Sequence, residues 1–172
     1  GYALAATPQE IPKGAKRVVA LFDGPDFDPL PVVDQSIDVL STNKKGYFLM
    51  VEWDMHTDNL KRGLDRGLVM DKMIRQVASK VKNDTLIIFA ADHSFDLLLR
   101  GGRIGEPLLP VEGRVEKRPR LAAIDGSHSG EEVVVAAKGP GAELVRGFMP
   151  NTQLFQIMMA AYGWKESPQA SR

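Results

Sequence analysis

Two short apolar runs, each stopped by a polar cluster and separated by a long amphipathic stretch, constrain this chain more than any other feature. Residues 47–52 (YFLMVE) read as a strand covered on both faces, and they run straight into Glu52-Trp53-Asp54-Met55-His56. Residues 85–90 (TLIIFA) repeat the pattern and run into Asp92-His93. Between them Leu60, Leu64, Leu68, Met73, Ile74, Val77 and Val81 recur at three- to five-residue intervals among Lys, Arg and Asp. That spacing predicts an amphipathic helix over residues 59–82. Gly63 and Gly67 weaken its first turns by roughly 1 kcal/mol each. Strand, helix, strand makes a βαβ unit, whose two strands are expected to lie parallel.

The rest of the chain extends this reading to an α/β fold, with a mainly parallel central sheet and flanking helices. Residues 17–22 (RVVALF) read as a buried strand stopped by Asp23-Gly24-Pro25. A helix is expected from Pro31, carried by Val32, Val33, Ile37, Val39 and Leu40 and closed at Gly46. Residues 121–124 and 133–137 look like further strands flanking the loop 125–130, and Gly139-Pro140-Gly141 reads as a turn. A last helix over 154–162, capped by Asn151 or Thr152, is expected to be mostly buried. Residues 101–120, rich in Pro, Gly and basic side chains, read as a loop excursion or lid, and 165–172 as a frayed tail.

Composition removes several function classes. Lys plus Arg total 22 against 22 Asp plus Glu, so bulk charge draws the chain to neither nucleic acid nor an anionic membrane. No apolar run reaches the roughly 20 residues of a membrane span, and residues 1–12 lack the basic start and apolar middle of a signal peptide. A soluble chain is expected. With no Cys, disulfides, thiolate catalysis and Cys-ligated zinc are excluded, so any metal must sit on His and carboxylates.

The chemistry collects around three histidines, His56, His93 and His128, each in a loop or at a strand end. In an open α/β sheet, ligands bind outside the carboxyl ends of the strands, where His56 and His93 are expected. If Glu52, Asp54 and His56 continue in extended conformation, their alternate spacing puts all three on one face. Imidazole and carboxylate are good zinc ligands, and a zinc with an open position activates an oxygen for hydrolysis. The bland alternatives are a turn closed by the Asp92 carboxylate on local backbone N–H groups, and a solvated loop at Glu52 and Asp54. Ser94, Ser127 and Ser129 stand beside histidines, but no Gly-x-Ser-x-Gly elbow accompanies them.

Four blocks in order then resemble the C-terminal half of an alkaline phosphatase: residues 46–52 (GYFLMVE), 85–93 (TLIIFAADH), 128–130 (HSG) and 133–140 (VVVAAKGP). The resemblance covers most of residues 36–163. It implies two zinc ions and one magnesium ion at the carboxyl edge of the sheet, and hydrolysis of phosphate monoesters through a phosphoserine. Carried onto matching positions, it implies His56 and His128 on the first zinc, Asp92 and His93 on the second, and Glu52 on magnesium. Asp54 stands for the aspartate that joins the first zinc, with Asp58 as the alternative, because the segment before His56 is shorter than in the family. Phe95 stands where the family often has another histidine.

Nothing in residues 1–45 matches the family's nucleophilic serine, early metal aspartate or phosphate-gripping arginine. The expectation is therefore an incomplete domain, residues 1–172 forming a C-terminal metal-binding part that is inactive alone. The expected substrate is a small phosphate ester, with a homodimer as the assembly; periplasmic or secreted location is implied by the resemblance only. Alternatives are another member of the same superfamily, phosphoglycerate mutase-like or sulfatase-like phosphodiesterase, or a metal-binding module without catalysis.

Overall fold

The computed structural model of the chain describes residues 1–23, 27–57, 59–99, 104–105, 107 and 122–164, with the main chain alone for 95–99 and 122–127. The turn at Gly24-Pro25, Asp58, nearly all of the 101–120 excursion and the tail 165–172 lie outside the described residues. The chain divides into two compact units, Gly1–Val81 and Lys82–Arg172.

In the first unit, strands β1 (Ala3–Ala5) and β2 (Val18–Ala20) pair in parallel, with Ala3 opposite Val18 and Ala5 opposite Ala20. Ala5, Ile11 and Val32 form a small core against which Val18, Ala20, Phe22 and Phe27 pack. The strand expected at 17–22 is thus present but shorter, and it is not buried: Val19 and Leu21 face outward. Only one flank of so short a ribbon is covered, so alternate side chains stay in solvent.

Helix α1 (Leu30–Leu40) has Pro31 in its first turn, where a missing N–H leaves no bond unmade. It ends at Ser41 rather than Gly46. The Ser41 and Thr42 hydroxyls donate back to the Asp38 and Val39 carbonyls at 3.1 and 2.7 Å, competing with a further helical turn. Gly46, at φ 97°, then closes a separate turn by donating its N–H to the Asn43 carbonyl.

Helix α2 (Leu60–Lys80) matches its expected span, with the Asn59 side chain accepting from the Arg62 N–H at 3.0 Å. Its buried face is differently phased from the expected stripe. Leu64 and Leu68 are 52% and 70% exposed, whereas Arg66 is only 8% exposed. Downstream, Met73 joins Leu30, Val33 and Ile37 in the main core, with Leu49, Trp53, Met70, Val77 and Val81 packed around it. Lys80 Nζ bridges Asp34 and Asp38 of α1 at 2.8 and 2.7 Å, tying the two helices at one end.

Residues 47–52 enter no sheet among the described residues. Leu49 packs on the helical core while Phe48 and Met50 are 62% and 74% exposed. The expected burial on both faces is therefore not met.

The second unit contains β3 (Ile87–Ala90), β4 (Ser94–Leu99), β5 (Ala122–Ser129), β6 (Val135–Lys138) and helix α3 (Gln153–Ala161). Both of its strand pairs, β3 with β6 and β4 with β5, are antiparallel. A mainly parallel sheet is therefore not seen among the described residues, where one strand pair is parallel and two are antiparallel. An apolar run says that a segment is covered, not which strand lies beside it. The stretch 125–129, expected as loop, belongs to β5. Helix α3 is also less buried than expected: Ile157 is 1% exposed, but Phe155 is 60% exposed. Among the described residues no helix is long and apolar enough to cross a membrane, and the elements are those of an incomplete α/β domain.

Candidate metal centre

The six candidate ligands fall into two groups, Glu52, Asp54 and His56 in the first unit and Asp92, His93 and His128 in the second. In the first group exposure alternates along the chain. Glu52, Asp54 and His56 are exposed, while Trp53, Met55 and Thr57 are half-buried. This period of two is that of an extended segment with one face on the protein.

Local bonds hold the segment. The Asp54 carboxylate accepts from the His56 N–H at 2.7 Å, an Asx-type turn that brings the two residues into one loop. The His56 carbonyl accepts from Arg66 Nη1 at 2.9 Å, and the Trp53 indole N–H donates to the Arg66 carbonyl at 3.1 Å. Gly63 of α2 lets the segment approach, whereas Gly67 would accept a methyl group in ordinary contact. A Cβ on Gly63 would stand 3.3 Å from the Thr57 methyl, and one on Gly67 would stand 4.0 Å from the Met55 sulfur.

In the second group the β4–β5 ladder does the positioning. Ser94 lies opposite Ser129 and Phe95 opposite His128, and the register shifts between Phe95 and Leu97. His93, one residue before β4, is therefore a diagonal neighbour of His128, close enough for large side chains to meet. Their ring centroids are 4.1 Å apart at an interplanar angle of 62°. The irregular register, through Asp125-Gly126-Ser127, is the kind of bulge that re-aims a side chain at a sheet's end.

Asp92 stays close to His93. Its Oδ1 accepts from the His93 N–H at 3.0 Å, and its Oδ2 is 3.5 Å from His93 Nε2. The local carboxylate turn considered from the sequence is thus present, with a second oxygen turned to the imidazole. His93 Nδ1 lies 3.3 Å from the Ser94 carbonyl. The Ser129 hydroxyl is buried and, among the described residues, has no hydrogen-bond partner.

Imidazole and carboxylate are the right donors for zinc, and carboxylate for magnesium. Among the described residues, however, no three His, Asp or Glu side chains come together as a bound ion requires. Within the second unit His93 and His128 are brought together, with the Asp92 carboxylate beside His93. Asp58, the alternative to Asp54, lies outside the described residues.

Sequence reasoning overlooked two contributors. Strand β4 was not foreseen, although the apolar residues Phe95, Leu97, Leu98 and Leu99 signalled it. Arg66 was also overlooked, although it stands four residues before Met70 and seven before Met73, on the helix face that the core requires. The Gly139-Pro140-Gly141 turn is a turn, as expected. Gly139, at φ 105°, backs onto the Thr85 carbonyl so closely that a Cβ would clash with that oxygen.

Residues 28–107 match the family model for alkaline phosphatase. Three relatives extend the match. An alkaline phosphatase of Escherichia fergusonii is 28% identical over 146 residues, covering 77% of this chain and 31% of that protein. The human tissue-nonspecific isozyme of alkaline phosphatase is 26% identical over 183 residues, covering 80% of this chain and 34% of that protein. A streptomycin-6-phosphate phosphatase of Streptomyces griseus is 31% identical over 134 residues, covering 69% of this chain and 30% of that protein. The chain carries part of an alkaline phosphatase family sequence and spans about a third of the length of the curated relatives it matches.

Proposed function

We propose that this chain supplies metal-binding residues to an enzyme that hydrolyses phosphate monoesters. One structural observation carries the reading: His93 and His128, remote in sequence, stand ring to ring beside the Asp92 carboxylate. The family match gives that juxtaposition its chemical meaning. The relatives are phosphatases by name, and one of them is named for a phosphate monoester, streptomycin 6-phosphate.

The proposed ligands are those read from the sequence: His56 and His128 with Asp54 for one zinc, Asp92 and His93 for a second, and Glu52 for magnesium. The serine nucleophile is proposed to lie outside these residues. A complete domain would add strand partners for residues 47–52, whose outward Phe48 and Met50 then gain cover, and so restore a mainly parallel sheet. The substrate is proposed to be a small phosphate ester, the setting periplasmic or extracellular, the assembly a homodimer, and neither nucleic acid nor membrane a partner.

The test is hydrolysis of p-nitrophenyl phosphate by a protein joining this chain to the part of its relatives that it does not span. Activity that is lost on chelation and restored by zinc with magnesium supports the reading. Phosphoryl transfer between sugar-acid hydroxyls, or hydrolysis of sulfate esters or phosphodiesters in preference to monoesters, contradicts it. The 172-residue chain alone is expected to show no turnover.

A further inference from the structure

We infer that Arg66 is a positioning residue for His56, an inference that rests on the reading of His56 as a metal ligand. Arg66 is 8% exposed and is the buried charged residue among those described. A guanidinium is placed in a protein interior only where its donors are used, since an unpaired buried charge is strongly unfavourable. Here Nη1 donates to the His56 main-chain carbonyl at 2.9 Å.

The same residue receives the other end of the segment. The Trp53 indole N–H donates to the Arg66 carbonyl at 3.1 Å, so both Trp53 and His56 are fastened to one helical position. Trp53 is anchored further by the main core and by an edge-to-face contact with Phe27 at 5.9 Å between ring centroids. Asp54 closes the turn between the two anchors through its bond to the His56 N–H.

This clamp explains why α2 carries Gly63 on its near side and a charge where its apolar stripe would otherwise continue. Gly63 allows the 55–57 stretch to lie against the helix, and the guanidinium fixes its height. With Trp53 and Met55 held inward, the alternating side chains Glu52, Asp54 and His56 are kept on the outer side together. A planar donor reaching a main-chain oxygen fixes the backbone of His56.

Backbone ¹⁵N relaxation tests the clamp without any metal, on the full chain. Arg66→Met keeps the stem and removes every donor, and is expected to lower the order parameters of residues 54–57 from about 0.85 to below about 0.6. Arg66→Lys, with one compact ammonium, is expected to fall between. Values in α1 should not change in either variant. Zinc titration of the same proteins should show weaker binding in Arg66→Met by about tenfold, the range seen when groups that orient a ligand are removed. His56→Ala is the control. If it leaves zinc binding unchanged, the ligand reading fails and the order parameters still decide the clamp. Wild-type order parameters at 54–57 in Arg66→Met overturn the inference. If that variant does not fold, wild-type values in Arg66→Lys overturn it.

Discussion

His93 and His128, thirty-five positions apart in the chain, meet with their ring centroids 4.1 Å apart because the β4–β5 ladder makes them diagonal neighbours. Two imidazoles with a carboxylate oxygen 3.5 Å from one of them are donors of the kind that zinc takes.

Replacing His128 by Ala in the complete enzyme should therefore lower zinc affinity at least tenfold and reduce phosphatase activity with it. Zinc content after dialysis, measured beside the rate, checks this. Unchanged values for both remove His128 from the site.

The main core predicts a contrast within one helix. Met73 is 4% exposed among Leu30, Val33 and Ile37, whereas Leu68 is 70% exposed. Met73→Ala should destabilise the Gly1–Val81 unit by about 2–5 kcal/mol. Leu68→Ala should stay within about 0.5 kcal/mol of wild type. Urea unfolding followed by circular dichroism distinguishes them, and equal effects would mean that α2 is rotated from the orientation described.

Gly139 predicts a backbone effect. It combines φ 105° with a close approach to Thr85, so Gly139→Ala meets both torsional strain and a clash with a main-chain oxygen that cannot swing away. A loss of more than about 2 kcal/mol is expected. A variant with wild-type thermal stability would contradict the β3–β6 closure.

The link between α1 and α2 predicts a pH window. The Asp34 carboxyl is held below its ordinary range, chiefly by its hydrogen bond with Lys80. Its stabilising effect is complete above the unfolded value near 3.9 and is lost as pH falls through the lower folded value. For Lys80, burial acts to lower the ammonium pKa, but hydrogen bonds and charge attraction from Asp34 and Asp38 outweigh it and raise the group. Its effect is complete below about 10.4 and is lost as pH rises through the higher folded value. Lys80→Met should lower the thermal midpoint modestly near neutral pH, by less at high salt, and should flatten its fall at both pH extremes. Identical pH profiles for variant and wild type would show that the bridge does not stabilise the fold.

Much of this arrangement was legible in the residues, and the gaps have physical causes. Helix α2 announced itself through a long period, and the turn at Gly139 through its Gly-Pro-Gly. Strand partners were not legible. The runs at 47–52 and 85–90 encode apolarity, but pairing is decided by segments far away in sequence, and β3 takes β6 as its antiparallel neighbour. The phase of α2 was misread because Leu64 and Leu68 look like core residues, while the inward position belongs to Arg66, whose donors meet a main-chain oxygen that no side-chain pattern reveals. The candidate ligands were proposed from residue type, position and the family resemblance. The contact of His93 with His128 depends on ladder register and was beyond the reach of spacing alone.

Anomalous scattering at the zinc edge, from crystals of the complete enzyme grown with zinc, tests the central claim most directly. The account predicts zinc peaks within about 2.0–2.2 Å of imidazole nitrogens of His93 and His128 and of an Asp92 oxygen. Zinc-saturated crystals of active enzyme in which both rings stand clear of any peak would contradict it.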